Sequence, residues 1–366
     1  MKNPSPEPNS HHSDNSERIL IIGPSWVGDM VMAQSLFIVL KAQRPERHID
    51  VLAPAWSRPL LERMPEVNQA IDMPLGHGRF ALGERRKLGH KLQGQYQQSI
   101  ALPNSWKSGL IPWFAKIPTR TGWKGEARYV LLNDRRILNK HQLPFMVQRF
   151  VSLAYPKNAQ QPTLNSCPPP SLVANQARIP ALLERFQLNK EKPVAIICPG
   201  AEFGPAKQWP AEHFSATAAA LINDGWQVWI MGSGGDKTVA DDIAGRIEKT
   251  QTTSDKPNHP HAIYNLCGET TLEEAIDLMS CADQVISNDS GLMHIASALN
   301  KPVVALYGAT SPGFTPPLSP LAKTVSISVD CGPCFKRQCP LGHHRCMNEL
   351  YPQRVLELVT TASHTG

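Results

Sequence analysis

Apolar positions along the chain fall into two alternating patterns. Short continuous runs of branched residues, beginning with Arg18-Ile-Leu-Ile-Ile-Gly-Pro24, recur between longer stretches in which apolar and polar residues mix at helical spacing. A continuous run of four to eight apolar residues bounded by turn residues is the signature of a strand buried on both faces. On this reading strands lie at 18–24, 49–53, 70–73 and 99–102. Helices lie at 30–43, near Leu60, at 85–92 and at 106–115. Strand–helix alternation of this kind predicts βαβ units and a parallel sheet. The pattern then stops. Residues 159–170 are rich in Pro, Gln and Asn and end in Pro168-Pro-Pro170. After a short helix at 179–186 the alternation restarts, with strands at 194–198, 227–231, 263–266, 284–287 and 303–307. Helices are predicted at 211–223, 237–249, 272–281 and 292–299. A polar loop is expected at 250–262 and a last helix at 352–362. The fold class is α/β, with a tail (1–17), a first doubly wound domain (18–170), a linker (171–190), a second such domain (191–346) and a terminal helix (347–366).

In doubly wound sheets ligands bind beyond the carboxyl ends of the strands, so the turns there are where chemistry is sought. The first, Gly23-Pro-Ser-Trp-Val-Gly28, has the two glycines of a phosphate loop, but Asp29 and Met30 stand where Lys and Ser or Thr belong. The dinucleotide fingerprint is absent as well. What remains is a carboxylate in the first turn of a helix. It reads either as an ordinary helix-capping Asp or as an ionised base facing a cleft, suited to accept a proton from a hydroxyl. In the second half, Cys198-Pro-Gly200 opens a long loop carrying Lys207, which reads as a surface lysine or as a mobile charge for phosphate. Met231-Gly232-Ser-Gly-Gly-Asp236 is a glycine-rich turn with room for a nucleotide. Ser287-Asn-Asp289-Ser290-Gly291-Leu-Met-His294 is a strand–turn–helix that aims backbone N–H groups and the helix dipole at one point, as a phosphate would require. It is equally an ordinary βα turn. No D-x-D occurs, so a metal–diphosphate clamp of paired carboxylates is not offered.

Composition narrows the class. The chain has 366 residues, 41% hydrophobic and 19% charged, with no apolar run of membrane-spanning length. Residues 1–17 are polar and lack a signal-peptide pattern, so they are expected to form a disordered tail on a cytosolic protein. The net charge of +6 is concentrated. Between Leu75 and Lys140, thirteen Lys and Arg face three Asp and Glu, a surplus of ten. Trp106, Trp113, Phe114 and Trp123 are interleaved among them. Such a field attracts nucleic acid, an anionic membrane or a polyanionic substrate, or is simply a solvated face. The tail holds Cys331, Cys334, Cys339 and Cys346, of which only the first pair has strong metal or redox spacing. These four are left unassigned.

Four segments together, Pro24-Ser-Trp-Val-Gly-Asp29, Pro199-Gly-Ala-Glu-Phe-Gly-Pro-Ala-Lys-Gln-Trp-Pro210, Ser287–His294 and Leu306-Tyr-Gly-Ala-Thr-Ser-Pro312, resemble the bacterial ADP-heptose:lipopolysaccharide heptosyltransferases. The resemblance covers about residues 18–360. It implies a GT-B fold, two Rossmann-like domains facing across a cleft, with the last helix packing back on the first. It implies inverting transfer of L-glycero-D-manno-heptose from ADP-heptose. By family role Asp29 is the general base and Lys207 binds the diphosphate. Gly200, Gly232, Asp236, Asp289, Ser290, Gly291 and His294 lie on the donor side, and Ser25, Trp26 and Gly28 on the acceptor side. The Trp-Val-Gly-Asp turn, and Ala33-Gln34-Ser35 where first-heptose enzymes carry Leu-Pro, point to the first heptose of Kdo2-lipid A as acceptor. No metal or other cofactor is expected in the reaction, and no nucleic acid. The basic segment would then meet the acceptor and the anionic inner leaflet from the cytoplasmic side. Rival readings are another GT-B sugar-nucleotide transferase, the first-heptose enzyme, a nicotinamide oxidoreductase, and a nucleotide- or nucleic-acid-binding protein without catalysis.

Overall fold

The computed structural model describes residues 17–74, 80–252 and 262–359. Arg79 of the basic segment, the tail up to residue 16, most of the 250–262 loop and the end of the last expected helix lie outside the described residues.

The first half runs β1 (Arg18–Ile22), α1 (Val27–Gln43), β2 (His48–Pro54), α2 (Arg58–Leu61), β3 (Val67–Met73), α3 (Leu82–Lys91), β4 (Gln98–Ala101), α4 (Leu110–Phe114), β5 (Thr119–Trp123), β6 (Asp134–Arg136) and α5 (Met146–Val151). Helix α6 (Ile179–Arg185) lies in the linker. The second half runs β7 (Val194–Cys198), α7 (Ala211–Asn223), β8 (Gln227–Ile230), α8 (Lys237–Thr252), β9 (Ile263–Asn265), α9 (Leu272–Met279), β10 (Gln284–Asn288), α10 (Gly291–Ala298), β11 (Val303–Leu306), β12 (Ala322–Val325), α11 (Arg345–Asn348) and α12 (Pro352–Leu356). Each half builds one six-stranded sheet, in the orders β3-β2-β1-β4-β5-β6 and β12-β11-β10-β7-β8-β9. Every pairing is parallel.

Both sheets reverse their winding direction at a defined place. In the first, β2 lies on one side of β1 and β4 on the other; in the second, β8 and β10 flank β7 in the same way. Such a switch point splays the following loops apart and leaves a crevice at the strand ends. Asp29 follows β1, and Lys207 and Asp289 follow β7 and β10, so all three stand at the two switch points.

Helix α1 is apolar on nearly all sides, and Met30 through Phe37 are buried. A helix of that composition needs neighbours all round, and α1 has them: α5, α10 of the opposite half, and the apolar residues of its own sheet such as Ile19, Ile21 and Val51. One apolar cluster accordingly runs through both halves, from Ile19 and Phe37 to Met293 and Tyr307.

Two features differ in part from expectation. As far as residue 359, the terminal helix expected to pack back on the first domain packs instead on α7, and Val355 and Leu356 join the core of the second half. The crossing is made instead by the loop after β11, where Phe314 O accepts the Met146 N–H at 2.9 Å and Leu318 packs against the cluster holding Val147 and Val151. The basic segment is also less of a surface than its count suggests. Arg128 is 2% exposed and donates to Pro103 O at 2.8 Å and Ser108 Oγ at 3.1 Å, tying down the loop after β4. Arg85 is buried with its Nε on Phe80 O, and Arg120 clasps Leu131 O and Ile117 O. These guanidiniums satisfy backbone carbonyls in irregular chain, where no ladder does so. Arg86, Lys87, Lys91, Lys116, Lys124, Arg135 and Lys140 remain exposed.

Candidate active site

Lys207 closes a single helical turn, Pro205–Lys207, in the long loop after β7. That loop is fastened to the neighbouring strand end by Asn288, which donates to Pro199 O at 2.8 Å and accepts from Trp209 N at 3.2 Å. Thus held, the Lys207 ammonium reaches Asp289 Oδ2 at 2.7 Å and Asp289 O at 3.2 Å. It also lies 5.0 Å from the centre of the Phe203 ring. Thr310, in the loop after β11, donates to the same Asp289 Oδ2 at 2.6 Å. Asp289 is 5% exposed, so this is an ion pair largely removed from water, with both carboxylate partners fixed. Three adjacent strand ends, β7, β10 and β11, therefore converge on one carboxylate and one cation.

Asp29 faces this pair from the other half. It keeps a partial opening to solvent, yet the packed atoms around it push its carboxyl up to about 6. Burial is the main cause; the nearby Lys207 cation works against it and the Asp289 anion with it. Desolvation thus opposes the ionised form that a first-turn carboxylate would otherwise favour. His294 is 5% exposed, and burial lowers its pKa to about 4, Asp289 opposing and Lys207 assisting. At neutral pH it is an uncharged imidazole, able to exchange hydrogen bonds with hydroxyls but carrying no charge for phosphate.

The two halves touch at glycines. A Cβ on Gly28 would lie 2.6 Å from the His294 ring, and one on Gly291 would lie 2.7 Å from Val27. Both glycines thus let α1 and α10 meet end to end beside Asp29. Ser290 stands at the N-cap position of α10 without bonding the helix backbone, its Oγ 3.2 Å from Ser287 Oγ. Trp26 is 41% exposed and Ser25 half-buried beside it, at the mouth of the cleft.

Gly200, Gly232 and Asp236 meet one strand further out, over β8. A Cβ on Gly200 would strike Asp236 Oδ2 at 2.5 Å. Asp236 accepts from Ser233 N and Ser233 Oγ, each at 2.8 Å, so it closes its own turn. Thr310, Phe203 and Asn288 were not singled out from sequence. The available signal was position, since each lies on or beside a strand end at the same sheet edge.

The four tail cysteines line a separate cavity of about 20 Å³ beneath the Lys207 loop, together with His343 and His344. Among the described residues, no three His, Cys, Asp or Glu side chains stand ready-made to hold an ion.

The arrangement offers a base on one wall and an anion-binding cation on the other. Comparison with known proteins agrees with it. Residues 85–345 match the profile of glycosyltransferase family 9 (heptosyltransferase). The chain is 48% identical to lipopolysaccharide heptosyltransferase 2 of Salmonella typhimurium, over 93% of this chain and 97% of the other. It is 47% identical, with the same coverage, to the enzyme of that name from Escherichia coli. The solved structure of Escherichia coli ADP-heptose lps heptosyltransferase II superimposes with a TM-score of 0.81 at 45% identity, covering 93% of this chain and 97% of that one. With its two switch-point crevices facing each other, the chain belongs to glycosyltransferase family 9, the heptosyltransferases, and has their GT-B fold.

Proposed function

We propose that this glycosyltransferase moves heptose from ADP-heptose to the first heptose of the lipopolysaccharide inner core, inverting the anomeric centre. The observation that carries the reading is the placement of Asp29 against the Lys207–Asp289 pair across the cleft, in a chain 47–48% identical to heptosyltransferases 2 over 93% of its length. The acceptor hydroxyl gives its proton to Asp29 as its oxygen attacks the anomeric carbon. The bond to the diphosphate breaks on the opposite face, and Lys207 takes up the charge developing on the leaving ADP. One displacement needs one base and no enzyme nucleophile. Asp289, Ser290, Gly291 and neutral His294 hold the donor, and Ser25, Trp26 and Gly28 lie toward the acceptor. Metal is not assigned a part in the transfer.

The exposed cations Arg86, Lys87, Lys91 and Lys116, with Trp113 40% exposed among them, form the face we assign to the anionic membrane carrying the acceptor. No described helix is long and apolar enough to cross a membrane. The test is ADP release from ADP-heptose with heptosyl-Kdo2-lipid A in anionic and in neutral vesicles. Turnover that needs the heptosylated acceptor supports the assignment; equal turnover on Kdo2-lipid A lacking heptose overturns it. Equal KM in the two vesicles overturns the membrane face alone.

A further inference from the structure

We propose that Cys331, Cys334, Cys339 and Cys346 form a tetrahedral site for one thiophilic divalent ion, Zn²⁺ or Fe²⁺, which braces the loop carrying Lys207. All four sulfur-bearing side chains line one cavity, whose other walls include Ala206, Gly308, Ala309 and Val329. Its volume of about 20 Å³ admits a single water-sized body. A cavity whose polar lining is thiol and imidazole suits a soft-ligand ion better than water, which needs stronger hydrogen-bond partners. The spacing is Cys-x2-Cys, then four and six intervening residues, compact enough for a closed structural site.

His343 fixes the ligand set. Its Nδ1 accepts the Arg345 N–H at 3.0 Å, so the proton of the neutral ring sits on Nε2. That Nε2–H faces Cys331 Sγ at 3.9 Å. His343 is therefore a donor to a sulfur that ligates, and the fourth ligand is Cys339. Gly308 leaves space for Met347 and Cys346 together: a Cβ there would strike Met347 Sδ first and lie 3.0 Å from Cys346 Sγ. As the side chains stand, the sulfurs surround the cavity without closing to ligand distance. Binding would rotate them inward, to S···S separations of about 3.8 Å for Zn–S bonds of about 2.3 Å, releasing the thiol protons. Lys336 and Arg337 in the same loop oppose the negative charge of four thiolates around one dication.

The cluster is wired to the donor site. Ala206 precedes Lys207, and its N–H donates to Arg337 O at 3.1 Å within the cysteine loop. Phe335 N donates to Ala309 O at 2.7 Å, next to Thr310. An ion at this point would hold both loops that meet on Asp289.

The test begins with the full chain purified anaerobically under reducing conditions, with metal content measured by plasma mass spectrometry. About one equivalent of Zn or Fe is expected, lost in Cys331→Ser/Cys334→Ser and retained in Cys281→Ser. Cobalt exchange should give thiolate-to-cobalt charge-transfer absorption. Chelated protein should show a lower Tm and a several-fold higher KM for ADP-heptose with a smaller change in kcat, both restored by Zn²⁺. Should the double variant not fold, the chelation and cobalt arms on the native chain decide. Metal-free protein with four freely titrating tail thiols and a Tm indifferent to Zn²⁺ overturns the proposal, as does metal that dialyses away without effect.

Discussion

Burial of the Asp29 carboxyl to a pKa of about 6 has opposite consequences for catalysis and stability. A base must be deprotonated, so kcat/KM should rise with pH through about 6, not near the ordinary Asp value of about 3.9. For folding the sign reverses. The native state binds this proton more tightly than the unfolded state, so the contribution to stability is full below about pH 4. It is lost as pH rises through 6, up to about 3 kcal/mol for a shift of roughly two units. Asp29→Asn removes that penalty. We expect its kcat to fall by about 10²–10⁴, while its Tm at pH 7.5 exceeds that of the native chain and the advantage disappears by pH 4. A variant with normal kcat, or with no Tm gain at neutral pH, would remove Asp29 from its assigned role. Asp29, Lys207 and Asp289 could be picked out in sequence because each lies on the connection that leaves the carboxyl end of a strand. The raised pKa could not, because it depends on how closely α10 packs from the opposite domain. Thr310 escaped notice because a hydroxyl in Ala309-Thr-Ser-Pro312 reads as turn chemistry. Its partner carboxylate lies 21 residues away in the chain.

At the scale of elements, the contact between α1 and α10 sets the width of the cleft. Its tolerance is small, since the Gly28 Cα faces a rigid, buried ring. Gly28→Ala would place a Cβ 2.6 Å from His294, forcing the helices apart. Overpacking of this kind costs about 1–3 kcal/mol, and displacement of a base by the order of 1 Å costs about 100-fold in rate. We expect both in Gly28→Ala. In Gly28→Ala/His294→Ala the stability loss should largely vanish while activity stays low, because the clash is gone but the donor-side imidazole is too. Additive stability losses in this cycle would mean that the two residues do not meet. The buried strands and α1 were readable from continuous apolar runs. Strands β5 and β6 were not, since Thr119-Arg-Thr-Gly-Trp123 and Asp134-Arg-Arg136 carry polar residues toward the edge of the sheet. Arg120 of β5 binds the carbonyls of Leu131 and Ile117, and Arg136 of β6 pairs with Asp134, distinctions invisible to a charge count.

For the whole molecule, the restart of strand–helix alternation after Pro168-Pro-Pro170 revealed two domains, but not how they are joined. The join has a polar clamp in addition to the shared apolar cluster. Asp277 on α9 is fully buried; it accepts from Arg63 Nη2 at 2.8 Å, across the domain boundary, and from Asn175 N at 2.8 Å in the linker. Arg63 also reaches Glu273 at 3.4 Å, and Arg178 of the linker pairs with the same glutamate. A buried carboxylate that loses its cation is left uncompensated, at a cost of about 3–5 kcal/mol, whereas replacing both partners by apolar groups is often neutral. Arg178 Nη1 stays 3.8 Å from Asp277 and compensates it in part, so Arg63→Ala should destabilise by less than that amount, and Arg63→Met/Asp277→Leu should recover most of the loss. The single variant should also separate the unfolding of the halves, because the clamp is one of the contacts that make them a cooperative unit. Urea unfolding followed by Trp fluorescence, alongside backbone circular dichroism, would show noncoincident transitions. The double variant tests more than stability. If the clamp only holds the domains together, restoring stability restores kcat. If it also sets the angle at which Asp29 meets the donor, kcat stays depressed at normal Tm, and the clamp is then part of how the cleft closes.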